Sequence, residues 1–161
     1  MRSFEITEVK PFMSALLTGQ VFDNFAVSEL KMNNAGGWVL DGRRNAEFYD
    51  EGEFEALPEK EYLLWSEVKQ IVFTLVKGSK LPLSMQITFK LNAANTESTV
   101  RNSGTGIPLE NVGGIFLNIR YDREQLQVVS GTSLKSFSMD RSLENAWDDY
   151  AEKFLKKNGF A

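Results

Sequence analysis

Thr7-Glu8-Val9-Lys10-Pro11-Phe12-Met13-Ser14-Ala15-Leu16-Leu17-Thr18-Gly19 reads against Ser66-Glu67-Val68-Lys69-Gln70-Ile71-Val72-Phe73-Thr74-Leu75-Val76-Lys77-Gly78 as one pattern written twice. Both run [Thr/Ser]-Glu-Val-Lys, five residues, Leu, two residues, Gly, with apolar matches at Phe12/Ile71, Met13/Val72 and Leu17/Val76. Apolar positions at i, i+3, i+4, i+7 and i+8 are the period of an amphipathic helix. A hydroxyl residue ahead of each stretch is a candidate cap, and the glycine behind it a candidate stop. Capping and periodicity alone make ordinary helices look alike, but the shared spacing favours an internal duplication.

The flanks extend the pattern. Phe4-Glu5-Ile6 and Tyr62-Leu63-Leu64-Trp65 are short extended pieces ahead of the two helices. Behind the first come Phe25 to Met32, a turn at Asn33 to Gly37, Trp38-Val39-Leu40, an Asp41-Gly42 turn and a short closing segment at Ala46 to Tyr49. Behind the second, Leu83, Met85, Ile87 and Phe89 alternate with Ser84, Gln86, Thr88 and Lys90, which predicts a strand with one buried and one wet face. Ile115, Leu117, Ile119 and Tyr121 alternate likewise. Leu126 to Val129 and Leu134 to Met139 read as two further strands, with Ser130-Gly131-Thr132-Ser133 as their hairpin turn. Residues 92 to 114 carry few apolar side chains and read as a long loop, mobile or functional.

Residues 140–161 form a third amphipathic helix, capped by Asp140 or Ser142 and stopped by Gly159. Its apolar stripe is Leu143, Ala146, Trp147, Tyr150, Ala151, Phe154 and Leu155. The expected architecture is therefore α+β: duplicated β-α-β-β-β units at 1–50 and 62–139 with antiparallel sheets, an acidic loop at 50–61 between them, and the C-terminal helix.

The chain has 161 residues, 42% hydrophobic and 25% charged, which fits one folded domain and excludes a disordered or collagen-like chain. It has no Cys and no His, so thiol nucleophiles, thiolate or imidazole metal ligands, Ser-His pairs and disulfides are out. Met1 to Glu8 does not read as a secretory leader and no apolar run is long enough for a bilayer, so a cytoplasmic protein without membrane contact is expected. Net charge is −4, from 18 basic and 22 acidic residues. Asp50, Glu51, Glu53, Glu55, Glu59 and Glu61 against Lys60 give −5 in one segment, which leaves +1 for the rest.

Candidate chemistry is sparse. Asp148 and Asp149 point about 100° apart on a helix and read as a solvated pair. Asp41, Asp50 and Glu51 lack calcium-loop spacing, with Gly52 where an oxygen ligand belongs, so no metal is expected. Ser103-Gly104-Thr105-Gly106 and Val112-Gly113-Gly114 lack the phosphate-loop ending, and no cofactor is expected. Ser133 and Lys135 read as strand-edge residues, and Arg43-Arg44 as a counterweight to nearby acids. Phe73 lies off the centre of its helix's apolar stripe, widening that face towards a second surface, either the last helix or another subunit.

Two resemblances follow. Trp65-Ser-Glu-Val-Lys-Gln-Ile-Val-Phe, Leu81-Pro-Leu-Ser, and Gly131-Thr-Ser-Leu-Lys running on to Trp147-Asp-Asp resemble a bacterial family of unknown function from Firmicutes-type genomes, which implies no activity. Two β-α-β-β-β units about sixty residues apart are also similar to one domain of a DNA sliding clamp. That likeness implies helices presenting cations to DNA phosphates, here Lys10, Lys69 and Lys77, although Glu8 and Glu67 dilute the charge.

Three functions are compatible with this reading. The preferred one is a non-enzymatic cytoplasmic binding or assembly module, clamp-like with DNA as ligand through Lys10, Lys69 and Lys77, or forming a homo-oligomer. The second is an adaptor that meets an unknown protein partner through Asp50, Glu51, Glu53, Glu55 and Phe73. The third is an enzyme with a carboxylate site that spacing does not locate.

Overall fold

Alternation of apolar and polar residues lays down an antiparallel sheet, and the amphipathic helices close one side of it. The structure is a computed structural model and describes residues 1–76 and 80–160. In chain order the elements are β1 (Arg2–Glu5), α1 (Val9–Leu17), β2 (Ala26–Asn33), β3 (Gly37–Asp41), α2 (Glu51–Glu55), β4 (Leu63–Leu64), α3 (Trp65–Val76), β5 (Ser84–Lys90), α4 (Ala93–Asn102), β6 (Val112–Asp122), β7 (Leu126–Leu134) and α5 (Ser142–Lys157). The chain is thus an α+β protein.

Among the described residues the sheet has seven strands in the order β1-β7-β6-β5-β2-β3, with β4 added to the start of β2, and every pairing is antiparallel. The first and second halves of the chain share this sheet, joined where β2 pairs β5. β1 and β3 are its edges. Met85, Ile87 and Phe89 of β5, Leu117 and Ile119 of β6 and Val128 of β7 point into a core that α1, α3 and α5 complete with Phe12, Leu16, Trp65, Val72, Trp147 and Leu155. Phe22, in the turn after α1, lies at its centre, with ring centroids of Phe12, Phe89, Phe154 and Phe160 at 5.3, 5.6, 5.7 and 6.2 Å.

Buried polar side-chain atoms find partners with one exception among the described residues, Arg44 Nε. Trp65 Nε1 donates to the Leu16 carbonyl at 2.7 Å, an oxygen in the last turn of α1 that has no partner within the helix. Trp147 Nε1 donates to the Phe116 carbonyl at 2.8 Å and fastens α5 to β6. At the end of α5, Gly159 takes a φ of +76°, where only glycine is unstrained. The Phe160 and Gly159 amides then donate to Leu155 and Lys156 carbonyls at 3.0 and 3.1 Å, and the Phe160 ring turns into the core. Gly42 has a different reason: a Cβ there would lie 1.6 Å from the Val27 carbonyl oxygen.

Several segments differ from expectation. Residues 92–114 are not an open loop, because they hold α4 and a 3-10 turn at Leu109–Asn111. The acidic segment 50–61 is not all loop either; α2 forms there, with the Asp50 amide on Glu53 Oε1 at 3.1 Å. Ala46–Phe48 is a 3-10 turn rather than a strand. Ser130 to Ser133 is no hairpin turn: β7 runs unbroken from Leu126 to Leu134, and 135–139 lie outside it. Thr7 and Ser66 cap nothing, since α1 begins after Glu8 and α3 begins at Trp65, with Glu67 accepting the Leu64 amide at 2.7 Å. Gly19 does not enter the left-handed region, and Gly78 lies outside the described residues. Among the described residues, no helix is long and apolar enough to cross a membrane.

Candidate functional site

Period-two strands that bury one face must present every other side chain on the opposite face. Among the described residues no helix covers that second face, and register sets its side chains in rows across the strands. Lys31 of β2 lies opposite Gln86 of β5, Gln86 opposite Arg120 of β6, and Arg120 opposite Gln127 of β7. The next row is Asn33, Ser84 and Asp122. Together they line a groove of about 430 Å³ on the open face.

The two rows differ in hydrogen bonding. Asn33 Nδ2 donates to Ser84 Oγ at 3.1 Å, and Asp122 Oδ1 accepts the Glu124 and Gln125 amides, both at 2.9 Å, holding the β6–β7 turn. Among the described residues, the side chains of Gln86, Arg120 and Gln127 make no hydrogen bond, and Lys31 has only Glu29, 3.8 Å away. Two cations and two amides therefore face solvent in one line, free to meet carboxylates, carbonyls or phosphates.

The residues expected to contact DNA are not gathered in this way. Lys10 is exposed on α1. Lys69 is held by Asp23, with Nζ 2.8 and 2.9 Å from its two carboxylate oxygens, and also donates to the Gly19 carbonyl at 2.8 Å. Lys77 lies outside the described residues. Asp50, Glu51, Glu53 and Glu55 are exposed on and beside α2, close in sequence to the exposed Phe48 ring. Glu59 departs from that cluster: it is buried, accepts the Glu61 and Tyr62 amides at 2.8 and 3.1 Å, and takes the Ala93 amide at 3.0 Å at the start of α4. Phe73 is 39% exposed and Ile71 57%, and Phe73 makes no ring contact with α5.

Arg44 does balance an acid, but from a buried position, and Asp148 proves to be structural rather than solvated. Arg44 lies buried beneath the acidic segment, with a fork of bonds to Glu67 at 2.9 and 2.8 Å, one to the Tyr49 hydroxyl at 2.8 Å and one to the Tyr62 carbonyl at 3.0 Å. The Glu67 bonds hold the guanidinium above its ordinary pKa. Burial pushes the Glu67 carboxyl up, but the Arg44 bonds and the Leu64 amide outweigh it and leave the group below its usual range. Asp148, expected to be solvated, is buried on α5 and accepts from the Ser130 hydroxyl at 2.5 Å. Asp149 is exposed and takes Arg2 of β1 at 3.3 Å. The cap position of α5 is Arg141, neither Asp140 nor Ser142, but the Asp140 carboxylate accepts the Ser142 amide at 2.9 Å, and with the Gly106 amide and Thr105 hydroxyl this holds its pKa well below the usual range. Among the described residues no three carboxylates converge as metal ligands would.

A family model, described as a family of unknown function, DUF5721, matches residues 15–161. The chain belongs to this family. It matches no curated protein and no solved structure. The DUF5721 match takes in the whole Lys31-Gln86-Arg120-Gln127 row, α4 and α5, and leaves out β1 and most of α1. Sequence reading missed that row. Each member is legible as the outward half of an alternation, but the register that aligns four strands is not.

Proposed function

We propose that this chain is a non-enzymatic binding module of the bacterial cytoplasm that takes an acidic, extended segment of a protein partner across the open face of its sheet. The observation that carries this reading is the Lys31-Gln86-Arg120-Gln127 row, four long polar side chains in register, of which among the described residues only Lys31 has a partner, the Glu29 carboxylate 3.8 Å away. Two cations matched to carboxylates give orientation, and two amides matched to peptide groups give register.

The clamp-like reading is kept as a second one on a separate observation. The leading strand of each half adds to the other half: β1 pairs β7 and β4 pairs β2, while α1 and α3 lie side by side. Such an exchange is what two copies of one unit related by a two-fold axis would make. Its DNA surface would be the helix layer, where the Lys69 charge is already matched by Asp23.

Titration of ¹⁵N-labelled protein with a short acidic peptide, and separately with a short DNA duplex, tests these readings. Peptide-induced shifts centred on Lys31, Gln86, Arg120 and Gln127 are expected. Shifts from the duplex centred on α1 and α3 would replace the proposal with the clamp reading, and in a third titration, with a short basic peptide, shifts confined to α2 would replace it with the adaptor reading.

A further inference from the structure

On the helix side of the sheet, α4 and α5 leave a cleft of about 390 Å³ between them. One wall is α4, whose cleft side carries Asn, Ser and Thr, residues with little helix preference. Asn95, Ser98, Thr99 and Asn102 stand at i, i+3, i+4 and i+7, so they share one face, and all four line the cleft. Among the described residues none of these side chains makes a hydrogen bond. The floor is aromatic. Tyr150 lies nearly parallel to Trp147, with centroids 5.4 Å apart at 17°, and to Phe154, at 6.5 Å and 18°. Trp147 is pinned through its indole N–H, whereas Tyr150 remains 55% exposed with an unengaged hydroxyl. Among the described residues no charged side chain lines the cleft.

We infer that this cleft binds a neutral sugar, with a pyranose ring laid on the Tyr150 face and its hydroxyls met by the amides and hydroxyls of α4. The volume lies within the range of about 300–1,000 Å³ typical of small-molecule sites. The absence of a cation or anion on its walls leaves a charged ligand's desolvation uncompensated. A fixed, half-open ring offers an apolar platform at little entropic cost. From Asn95 to Asn102 the helix rises about 10 Å. That span exceeds the hydrogen-bonding edge of one nucleobase and suits the hydroxyls of one or two linked pyranose rings. The site is independent of the open sheet face, which lies on the other side of the strands.

Calorimetric titration of the full chain with glucose, galactose, N-acetylglucosamine, maltose and cellobiose tests the inference, with adenosine and uridine alongside. Saturable binding of at least one sugar is expected, weakened at least tenfold in Tyr150→Ala and in Asn102→Ala. Ser98→Lys, which sets a long charged chain into the cleft from a half-exposed position, is expected to abolish it with the melting temperature unchanged, guarding against a Tyr150 variant that merely unfolds α5. No binding by any of the sugars, binding of the nucleosides instead, or sugar binding equal in Ser98→Lys and wild type would each overturn it.

Discussion

The two faces of the sheet are made by the same strands and have opposite economies of polar groups. Met85, Ile87 and Phe89 of β5 enter the sealed core, while Ser84, Gln86 and Thr88 stand on the open side. On the sealed side polar atoms meet partners within the protein, as Trp65 does at Leu16, Trp147 at Phe116 and Ser130 at Asp148. On the open side a whole row is left to solvent. An unmatched buried polar group costs stability, and an exposed one costs nothing until a ligand uses it. Stability and binding should therefore separate by face, and substitutions can be ranked accordingly.

The largest effect is expected from Trp65→Ala, which removes a fully buried indole and frees the Leu16 carbonyl. A loss of about 3–5 kcal/mol in chemical denaturation is expected. Ser130→Ala comes next, because it strips the buried Asp148 carboxylate of its hydroxyl donor, at about 1–3 kcal/mol. Adding Asp148→Ala to Ser130→Ala should cost less than the two single losses together, because either change alone already removes the shared bond. Additive losses would mean that the short contact contributes nothing.

Glu67→Gln weakens the Arg44 fork at a partly exposed carboxylate, and a loss of about 1–2 kcal/mol near neutral pH is expected. The pH dependence has a fixed sign. Glu67 titrates lower in the folded protein than its ordinary value of 4.5, so the unfolded chain binds the proton first as pH falls. Its contribution is complete above that value and disappears as pH drops through the folded one. The gap between wild type and Glu67→Gln should close in acid, and a constant gap from pH 7 to 3 would contradict the assignment. The smallest stability effect belongs to the open face: Lys31→Glu with Arg120→Glu should change unfolding free energy by no more than about 0.5 kcal/mol per site. A larger loss would give that row a structural role.

Much of the sealed face was legible in the sequence, because alternation in β5 and β6 and the stripe of α5 are local patterns with one physical reading. The Gly159 stop was legible for the same reason. What failed depends on partners distant in sequence. Residues 93–102 have loop-like composition, yet Asn92 Oδ1 accepts the Asn95 amide at 2.8 Å, Glu59 takes the Ala93 amide and Val100 is buried, and together these hold a helix. Ser130-Gly131-Thr132-Ser133 looks like a turn until Asp148 supplies the acceptor that lets Ser130 sit inside a strand. Arg44 and Glu67 are separated by more than twenty residues and become a pair only once β4 brings the chain back to β2. The open-face row needed three strand registers at once.

The central claim is that the ligand surface is the open face rather than the helix layer. The direct measurement is the affinity of a short acidic peptide for wild type, for Lys31→Glu/Arg120→Glu and for Lys10→Glu. A loss of tenfold or more in the double variant, with Lys10→Glu unchanged, is expected. Wild-type affinity in the double variant together with a loss in Lys10→Glu would contradict the claim and move the surface to α1 and α3.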